Sequence, residues 1–555
     1  MDMHPILELL LPELILAVGA SLILLFGLSR VTSQGSTAVA LLSIAGALFA
    51  AARLVESSLG EFEVAALNNG PLVWYVRLVT LCVGVLILLV NRHVPEDRER
   101  GEFTALILFS LCGVSLVAVA NNLVLLFLAL ELVSVPTYIL IGLSRRDIQA
   151  QEATGKYFFL GAFAAAITLY GFSFLYGAAG TLTLFVADPA RGPSIMGALA
   201  TPEAMGDPLV LVGLFFSMGG LAFKIAAVPF HFYVADVYQG AASPITGMLG
   251  FVPKLAGFVA LIQILTLTGW QHSDAIFWPL WALAAATMTV GNTLALMQHN
   301  IKRMLAYSSI AHSGYMLMAL VAGPGLGGAA ESSPMRNGLT ALLFYMAVYG
   351  VMNLGAFAAI SFFRMAGPDD PEDSIEQLDD LAGAARRHPW ACLALAICVL
   401  GLMGFPLTGG FLGKLALFSA VLSAADPASA LVEVSSMRST GLIVLVVIGA
   451  LNAAVAAAYY LRILATCYLR KPAVGIAANR CHALKISLGF CALLVLTAFV
   501  MPGGLIRASR KAVQQVSRTT HRFSGVALPN QRAAVSVHRL AGFTPETSGH
   551  PSATP

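Results

Sequence analysis

Apolar runs of about 20 residues, the length a helix needs to cross a bilayer, recur along the whole chain. No other feature constrains the fold as tightly. Backbone in hydrocarbon must pair its own hydrogen-bonding groups, which only helices and closed barrels achieve. Barrel strands alternate apolar and polar residues, whereas these runs are continuously apolar. Of the 555 residues 58% are apolar and 11% charged, a balance that excludes an ordinary globular enzyme. The runs lie near 7–29, 36–55, 72–91, 103–120, 122–143, 153–178, 208–232, 243–267, 275–297, 303–323, 337–364, 390–424, 439–469 and 483–504. The predicted fold is therefore an all-α polytopic membrane protein of about fourteen transmembrane helices. One transmembrane domain is expected over 1–504. The tail 505–555 lacks periodicity, is rich in Ser, Thr, Pro and Arg, and is expected to be disordered.

Loop charge sets the orientation. Arg92, Arg100, Arg145, Arg146, Lys302, Arg303, Arg386, Arg387, Arg470 and others, including Arg30 and Arg98, fall in one alternate set of loops. The other set holds few basic residues, such as Arg191, Arg336 and Arg438. The first set is predicted to be cytoplasmic and both termini extracytoplasmic. The basic tail (Arg507, Arg510, Lys511, Arg518, Arg522) opposes this, and the many short loops outweigh it. The segment Leu9–Leu28 lacks a basic leader and is read as a retained helix. Two longer loops interrupt the spans. Thr181–Asp207 is rich in Pro, Gly and Ala, and Gly367–Arg387 runs from acidic to basic, reading as a solvated loop or a partner-docking surface. None of the seven cysteines forms a CxxC, so no iron–sulfur or zinc site is expected; most fall in spans as packing groups.

Four ionisable residues lie deep in apolar runs: Glu131, Lys224, Lys254 and Lys414. A charge at the bilayer centre costs roughly 2.5–3.5 kcal/mol on insertion scales and is retained where it serves a wetted pathway. Desolvation disfavours an ammonium and a nearby carboxylate favours it, so such amines are poised to carry protons. The competing readings are a protonated structural carboxyl for Glu131 and snorkelling for the lysines, the latter credible for Lys156 near a span end. Tyr138 shares the Glu131 face with Ser134. His231 and His312, the latter beside Ser308, Ser309 and Tyr315, are candidate relays, since histidine titrates near neutrality. No repeated histidine pairs suggest haem, and no GxGxxG opens a strand–helix unit.

Two spans are predicted to break. Pro229 follows Lys224 in FKIAAVPFHF, and GFPLTGGFLGK places Pro406, Gly409 and Gly410 before Lys414. Proline removes a helical donor, and broken helices at matching positions of two halves mark transporter sites. The breaks fall in the fourth helix of each of two five-helix units, spans 4–8 (103–267) and 9–13 (275–469), that is, in spans 7 and 12.

Several long segments in one order, over about residues 70–470, resemble a known family. They are FLALELVSVPTYILIG, the block from RRDIQAQEATGKYFFLG to AAGTLTL, FKIAAVPFHFYVADVYQGAASPIT, NTLALMQHNIKRMLAYSSIAHSGYML and GFPLTGGFLGK. They are similar to the antiporter-like subunits of respiratory complex I, in particular subunit N of bacterial NADH–quinone oxidoreductases. The resemblance implies two inverted five-helix repeats and a midplane chain in which Glu131, Lys224, Lys254 and Lys414 match the family's ionisable positions. The sister subunit M carries glutamate at the position of Lys414, and subunit L extends into further helices. This chain departs from the pattern at Tyr233, where tryptophan is usual, and at Ala235 and Ala242, where prolines are usual.

The resemblance implies a non-redox subunit of a proton-translocating enzyme in a bacterial inner membrane. Proton movement through the Glu/Lys chain would be driven by electron transfer elsewhere. No cofactor is expected on this chain. NADH and quinone would be used by the complex, with flavin and iron–sulfur clusters in partner subunits. The expected partners are other membrane subunits, antiporter-like and small, with the peripheral arm reached indirectly; the lipid bilayer is a contact and nucleic acid is not. The rival reading is a cation/proton antiporter subunit of the related multisubunit secondary antiporters.

Overall fold

The computed structural model describes residues 3–27, 35–56, 63–64, 66–95, 99–186, 192–199, 206–268, 270, 273–323, 336–365, 375–426, 435–471 and 476–520. Gly367–Ser374 of the acidic run, the tail beyond Thr520, and Arg30, Arg98 and Arg191 lie outside the described residues.

The chain is helical almost throughout. From the N-terminal side come α1 Leu11–Phe26, α2 Ser36–Glu56, α3 Pro71–Asn91, α4 Arg100–Val119, α5 Leu123–Ser144, α6 Ile148–Ala179, α7 Pro208–Lys224, α8 Val234–Gly240, α9 Ser243–Leu249 and α10 Val252–Thr266. The chain continues through α11 Asp274–Leu296, α12 Ile301–Ala322, α13 Gly338–Phe362, α14 Pro389–Met403, α15 Gly409–Ala425, α16 Ser436–Leu469, α17 His482–Val500 and α18 Gly503–Thr520. Among the described residues eleven helices, with α9–α10 taken as one, are long and apolar enough to cross a membrane; α1, α7, α14 and α15 are shorter apolar helices.

Local chemistry sets the starts. Asn122, Asp147, Asp207, Asn300 and Asn337 each precede a helix and accept a backbone N–H of its first turn, an N-cap that satisfies an otherwise orphaned donor. Prolines 71, 208, 244, 253 and 389 sit in first turns, where the missing donor costs nothing.

Burial is graded across the bundle. Residues in α9–α10, α12 and α13 are 94% buried over their apolar windows, against 33% for α16 and α17. The three inner elements are shielded from lipid by the rest, and they carry Lys254, His312 and a set of tyrosines. α13 is the hub, packing on α3, α9, α12, α14, α15, α17 and α18.

The helical path is interrupted at three places. α7 stops at Lys224 and α8 begins at Val234; α14 stops at Met403 and α15 begins at Gly409. Gly409 and Gly410 therefore open the second half-helix rather than fill the gap. Gly410 is required there, because a Cβ would overlap the carbonyl of Gly401. The third interruption, at Gly250 and Phe251, divides the segment read as one span and leaves Lys254 in the first turn of α10.

The tail also differs from expectation. Residues 503–520 form α18, whose Ser509, Ala512 and Val513 are buried while Arg507, Arg510 and Lys511 are exposed. It packs on α3, α13 and α10. The short apolar stripe was hidden among the basic residues.

Candidate functional site

The first break is held by hydrogen bonds from neighbouring side chains and its own backbone. The N–H groups of Ile225, Ala226 and Ala227 turn back onto α7 carbonyls. The Ser313 hydroxyl donates to the Ile225 carbonyl at 2.6 Å, the Tyr233 hydroxyl to the Phe223 carbonyl at 2.9 Å, and the Val228 N–H donates to Thr287 Oγ1 at 3.0 Å. Groups freed by the break are thus paired within protein, as hydrocarbon demands. Ala226 adopts the left-handed region with φ +60°.

Lys224 ends α7 at this break. Its Nζ pairs with Glu131 Oε1 at 2.9 Å and also contacts Ser134 Oγ. Lys224 is 6% exposed and Glu131 23%, so the carboxylate stands at the flank and the amine inside. Tyr138, two turns on from Glu131, does not join the pair. Its ring packs edge-on to Tyr157 at 4.6 Å. Lys156 lies on the rim, paired with Glu152 at 2.6 Å and Asp236 at 2.8 Å. His231 lies in the break with its Nδ1 buried and unpartnered, and it is not brought to the lysines.

α10 passes close behind. A Cβ at Gly257 would meet Ile225 Cγ2 at 2.7 Å and Lys224 Cβ at 3.2 Å. One turn earlier on that helix, Lys254 is 2% exposed. Its Nζ donates to Ser309 Oγ at 2.6 Å and also reaches the Ser309 carbonyl. Ser309 Oγ accepts from Tyr349 at 2.9 Å and lies 3.4 Å from the Tyr238 hydroxyl.

His312 follows Ser309 by one turn of α12. Its Nδ1 is 2.6 Å from the Tyr345 hydroxyl and its Nε2 is 2.9 Å from the Tyr460 hydroxyl. Tyr460 also contacts Ser308 Oγ. A buried imidazole bridging two phenols has a proton donor or acceptor on each side. Neighbouring Tyr459 donates to Asn292 Oδ1 at 3.1 Å, and Asn292 reaches Asn452 at 3.3 Å.

The second break is built differently. Leu407 takes φ +74° and Gly404 φ +84°. Lys414 Nζ donates to the Met403 carbonyl at 3.0 Å, capping the half-helix that the break ended, and stands 4.9 Å over the Tyr315 ring. Among the described residues, neither Lys254 nor Lys414 has a carboxylate within ion-pair distance.

With this geometry in view, a family model described as NADH:quinone oxidoreductase/Mrp antiporter, TM, matches residues 120–440. NADH-quinone oxidoreductase subunit N 1 of Solibacter usitatus is 34% identical over 511 residues, covering 90% of this chain and 96% of that protein. Subunit N of Salinibacter ruber is 40% identical over 405 residues, 72% of each chain. The chain belongs to the subunit N family of NADH–quinone oxidoreductases.

A chain of respiratory complex I from Thermus thermophilus shares the family's fold with this one, at a TM-score of 0.70, 28% identity and coverage of 89% of this chain and 98% of that one. A chain of the Mrp complex from Dietzia sp. DQ12-45-1b has a TM-score of 0.74 at 19% identity, covering 93% and 99%, which shows a common fold.

Set against the sequence expectations, the structure joins Glu131, Ser134 and Lys224 at one end, Lys254, Ser309 and His312 in the middle, and Lys414 beyond. Sequence reasoning missed Tyr238, Tyr345, Tyr349 and Tyr460, which supply most of the connecting hydroxyls. Their only signal was a phenol in a helix, which core packing explains equally well. A second buried ion pair was also missed: Arg77 grips both oxygens of Glu13 at 2.8 Å, with Ser115 on the same carboxylate, tying α1, α3 and α4 together. The five cysteines inside the bundle, Cys112, Cys392, Cys398, Cys467 and Cys491, are free and buried.

Proposed function

We propose that this chain is a proton-translocating, non-redox membrane subunit of an NADH–quinone oxidoreductase, conducting protons along the row from Glu131 and Lys224 through Lys254 and His312 to Lys414. One observation carries the reading: ionisable and hydroxyl side chains follow one another through the bundle and across its most buried helices, where a charge is costly. Moving one charge against 100 mV takes about 2.3 kcal/mol, so the row needs an external drive. Electron transfer between NADH and quinone in partner subunits supplies it, those subunits holding the flavin and iron–sulfur clusters.

Glu131 sits at the flank, where a neighbouring membrane subunit can act on it. The Glu131–Lys224 ion pair is the contact whose making and breaking would pass a proton inward. The broken helix at 225–233 is the element that takes two arrangements. Units 103–267 and 275–469 act as inverted repeats, with the breaks at 225–233 and 404–408 in matching helices. The arginine-rich end, bearing Arg92, Arg145, Lys302 and Arg470, faces the cytoplasm of a bacterium, and both termini lie outside.

The test is the intact complex carrying Lys224→Ala, reconstituted into sealed vesicles. In the fraction of complex that assembles, electron transfer should fall and protons pumped per NADH should drop. Native stoichiometry in that variant contradicts the reading. Sodium-driven proton exchange without quinone would instead favour the antiporter reading, to which the lower identity of the Mrp chain gives less weight.

A further inference from the structure

A strap of the loop between α13 and α14 closes the arginine-rich end. Ile375, Leu378 and Leu381 are buried. The Ile301 N–H donates to the Glu376 carbonyl at 2.9 Å and the Leu378 N–H to the His299 carbonyl at 3.0 Å, stitching the strap to the start of α12. Asp380 accepts the N–H groups of Glu376 at 3.1 Å and Gln377 at 2.7 Å, which fixes the turn. The described part of the acidic loop is thus bound to its own protein.

The strap presents one carboxylate inward. Glu376 Oε1 accepts from Arg145 at 3.0 Å and lies 3.6 Å from Lys302 Nζ. Lys302 is fully buried while Glu376 is 26% exposed, so the acid touches both water and a buried ammonium. Among the described residues it is the sole carboxylate paired with Lys302. Lys302 Nζ donates to the carbonyls of Gln239 at 2.7 Å and Ala241 at 3.3 Å, at the junction of α8 and α9.

From that junction polar groups continue towards the row. Thr246 Oγ1 donates to the carbonyls of Ala242 at 3.1 Å and Tyr238 at 3.2 Å, and the Tyr238 hydroxyl lies 3.4 Å from Ser309 Oγ, which holds Lys254. Lys302 and Ser309 are seven residues apart, on one face of α12 and about 10 Å along it. Carbonyls carry no proton, so passage from Lys302 to Thr246 and Tyr238 would need a bridging water at the 239–243 junction.

We propose that Glu376 is the proton-collecting carboxylate of the arginine-rich side, feeding Lys254 by way of Lys302 and Tyr238. A proton from water goes onto the Glu376 carboxylate. Lys302 gives one proton inward and takes one from the Glu376 carboxyl, so each group returns to its starting state. The other acids here pair with other cations and not with Lys302: Asp147 with Arg145, Asp236 with Arg303 and Lys156, and Asp379 with Arg470. This collector rests on the reading of the row as a proton path.

The experiment uses the assembled complex in sealed vesicles with the arginine-rich face towards the medium, following NADH oxidation and proton uptake as the medium is made alkaline. Glu376→Gln should match the native enzyme in acid and fall behind it in alkali by roughly tenfold, below the ~10²-fold floor for a positioned acid–base group because water partly replaces it. A native pH profile, or an equal loss at every pH, overturns the proposal. If the Gln variant does not assemble, Glu376→Asp decides: its shortened side chain should lower the alkaline limb part-way, and an unchanged limb overturns the collector. Lys254→Ala run in parallel separates the two readings. Normal pumping there removes the row itself; lost pumping there with a native profile in Glu376→Gln removes only the collector.

Discussion

The two breaks in the bundle share a cause and differ in how they treat the lysine beside them. Both lie next to a proline, and both force a non-glycine residue into the left-handed region, Ala226 in one and Leu407 in the other. At the first break the ammonium of Lys224 has a carboxylate 2.9 Å away. At the second, among the described residues, Lys414 faces a carbonyl and an aromatic ring and no carboxylate. A full negative charge stabilises an ammonium in low dielectric far more than a dipole or a ring quadrupole does. The same backbone device thus presents one amine whose charge is compensated and one whose charge is not. On the proposed proton row, the Glu131–Lys224 distance would be the control point.

The largest expected effect comes from removing the compensated amine. Lys224→Ala should depress pumping and coupled quinone reduction, and should lower the amount of assembled complex because Glu131 loses its partner. The orphaned carboxylate costs about 1–3 kcal/mol when buried, towards the lower end here because it is partly exposed. Lys414→Ala strands no carboxylate, so it should pump as poorly while assembling normally. Adding Glu131→Gln to Lys224→Ala should restore the assembled yield, measured by purification, but not pumping. Equal yields in the two alanine variants would remove the asymmetry between the breaks.

Glu131→Gln alone ranks next. It leaves a hydrogen-bonding group beside Lys224 but removes the charge, so pumping should fall less than in Lys224→Ala. A wild-type rate in this variant would mean that the pair matters for packing only.

Backbone changes sharpen the comparison further. Gly410→Ala drives a methyl into the Gly401 carbonyl and should lower the thermal stability of the detergent-solubilised complex by the overpacking cost of about 1–3 kcal/mol. Leu407→Gly should act in the opposite sense. It relieves a left-handed penalty of roughly 1–2 kcal/mol, partly offset by the ~0.5–1 kcal/mol entropic cost of glycine, and Leu407 is 64% exposed, so little packing is lost. Ala226→Gly should gain less, since a methyl that is 2% exposed disappears with the strain. Melting curves of the two glycine variants would separate the sites.

What was legible in the sequence follows the range of the physics. Pro229 and Pro406 announce breaks because proline acts within four residues of itself. Glu131, Lys224, Lys254 and Lys414 stand out because a charge in an apolar run is costly wherever it is. The third interruption escaped notice since Gly250 and Phe251 forbid nothing by themselves; only the arrival of Pro253 in a first turn hints at it. Tyr345 and Tyr460 were invisible as site residues because their partner, His312, lies 33 and 148 residues away. The Glu13–Arg77 pair spans 64 residues, and α18 was lost behind its own arginines. Contacts that depend on tertiary pairing leave no periodic mark.

The measurement closest to the central claim is the number of protons pumped per NADH by the assembled Lys254→Ala complex in sealed vesicles. Lys254 and its Ser309 partner lie between the two breaks and have no surface role. A continuous proton row predicts a lower stoichiometry with the complex intact. An unchanged stoichiometry at native electron-transfer rates would contradict it.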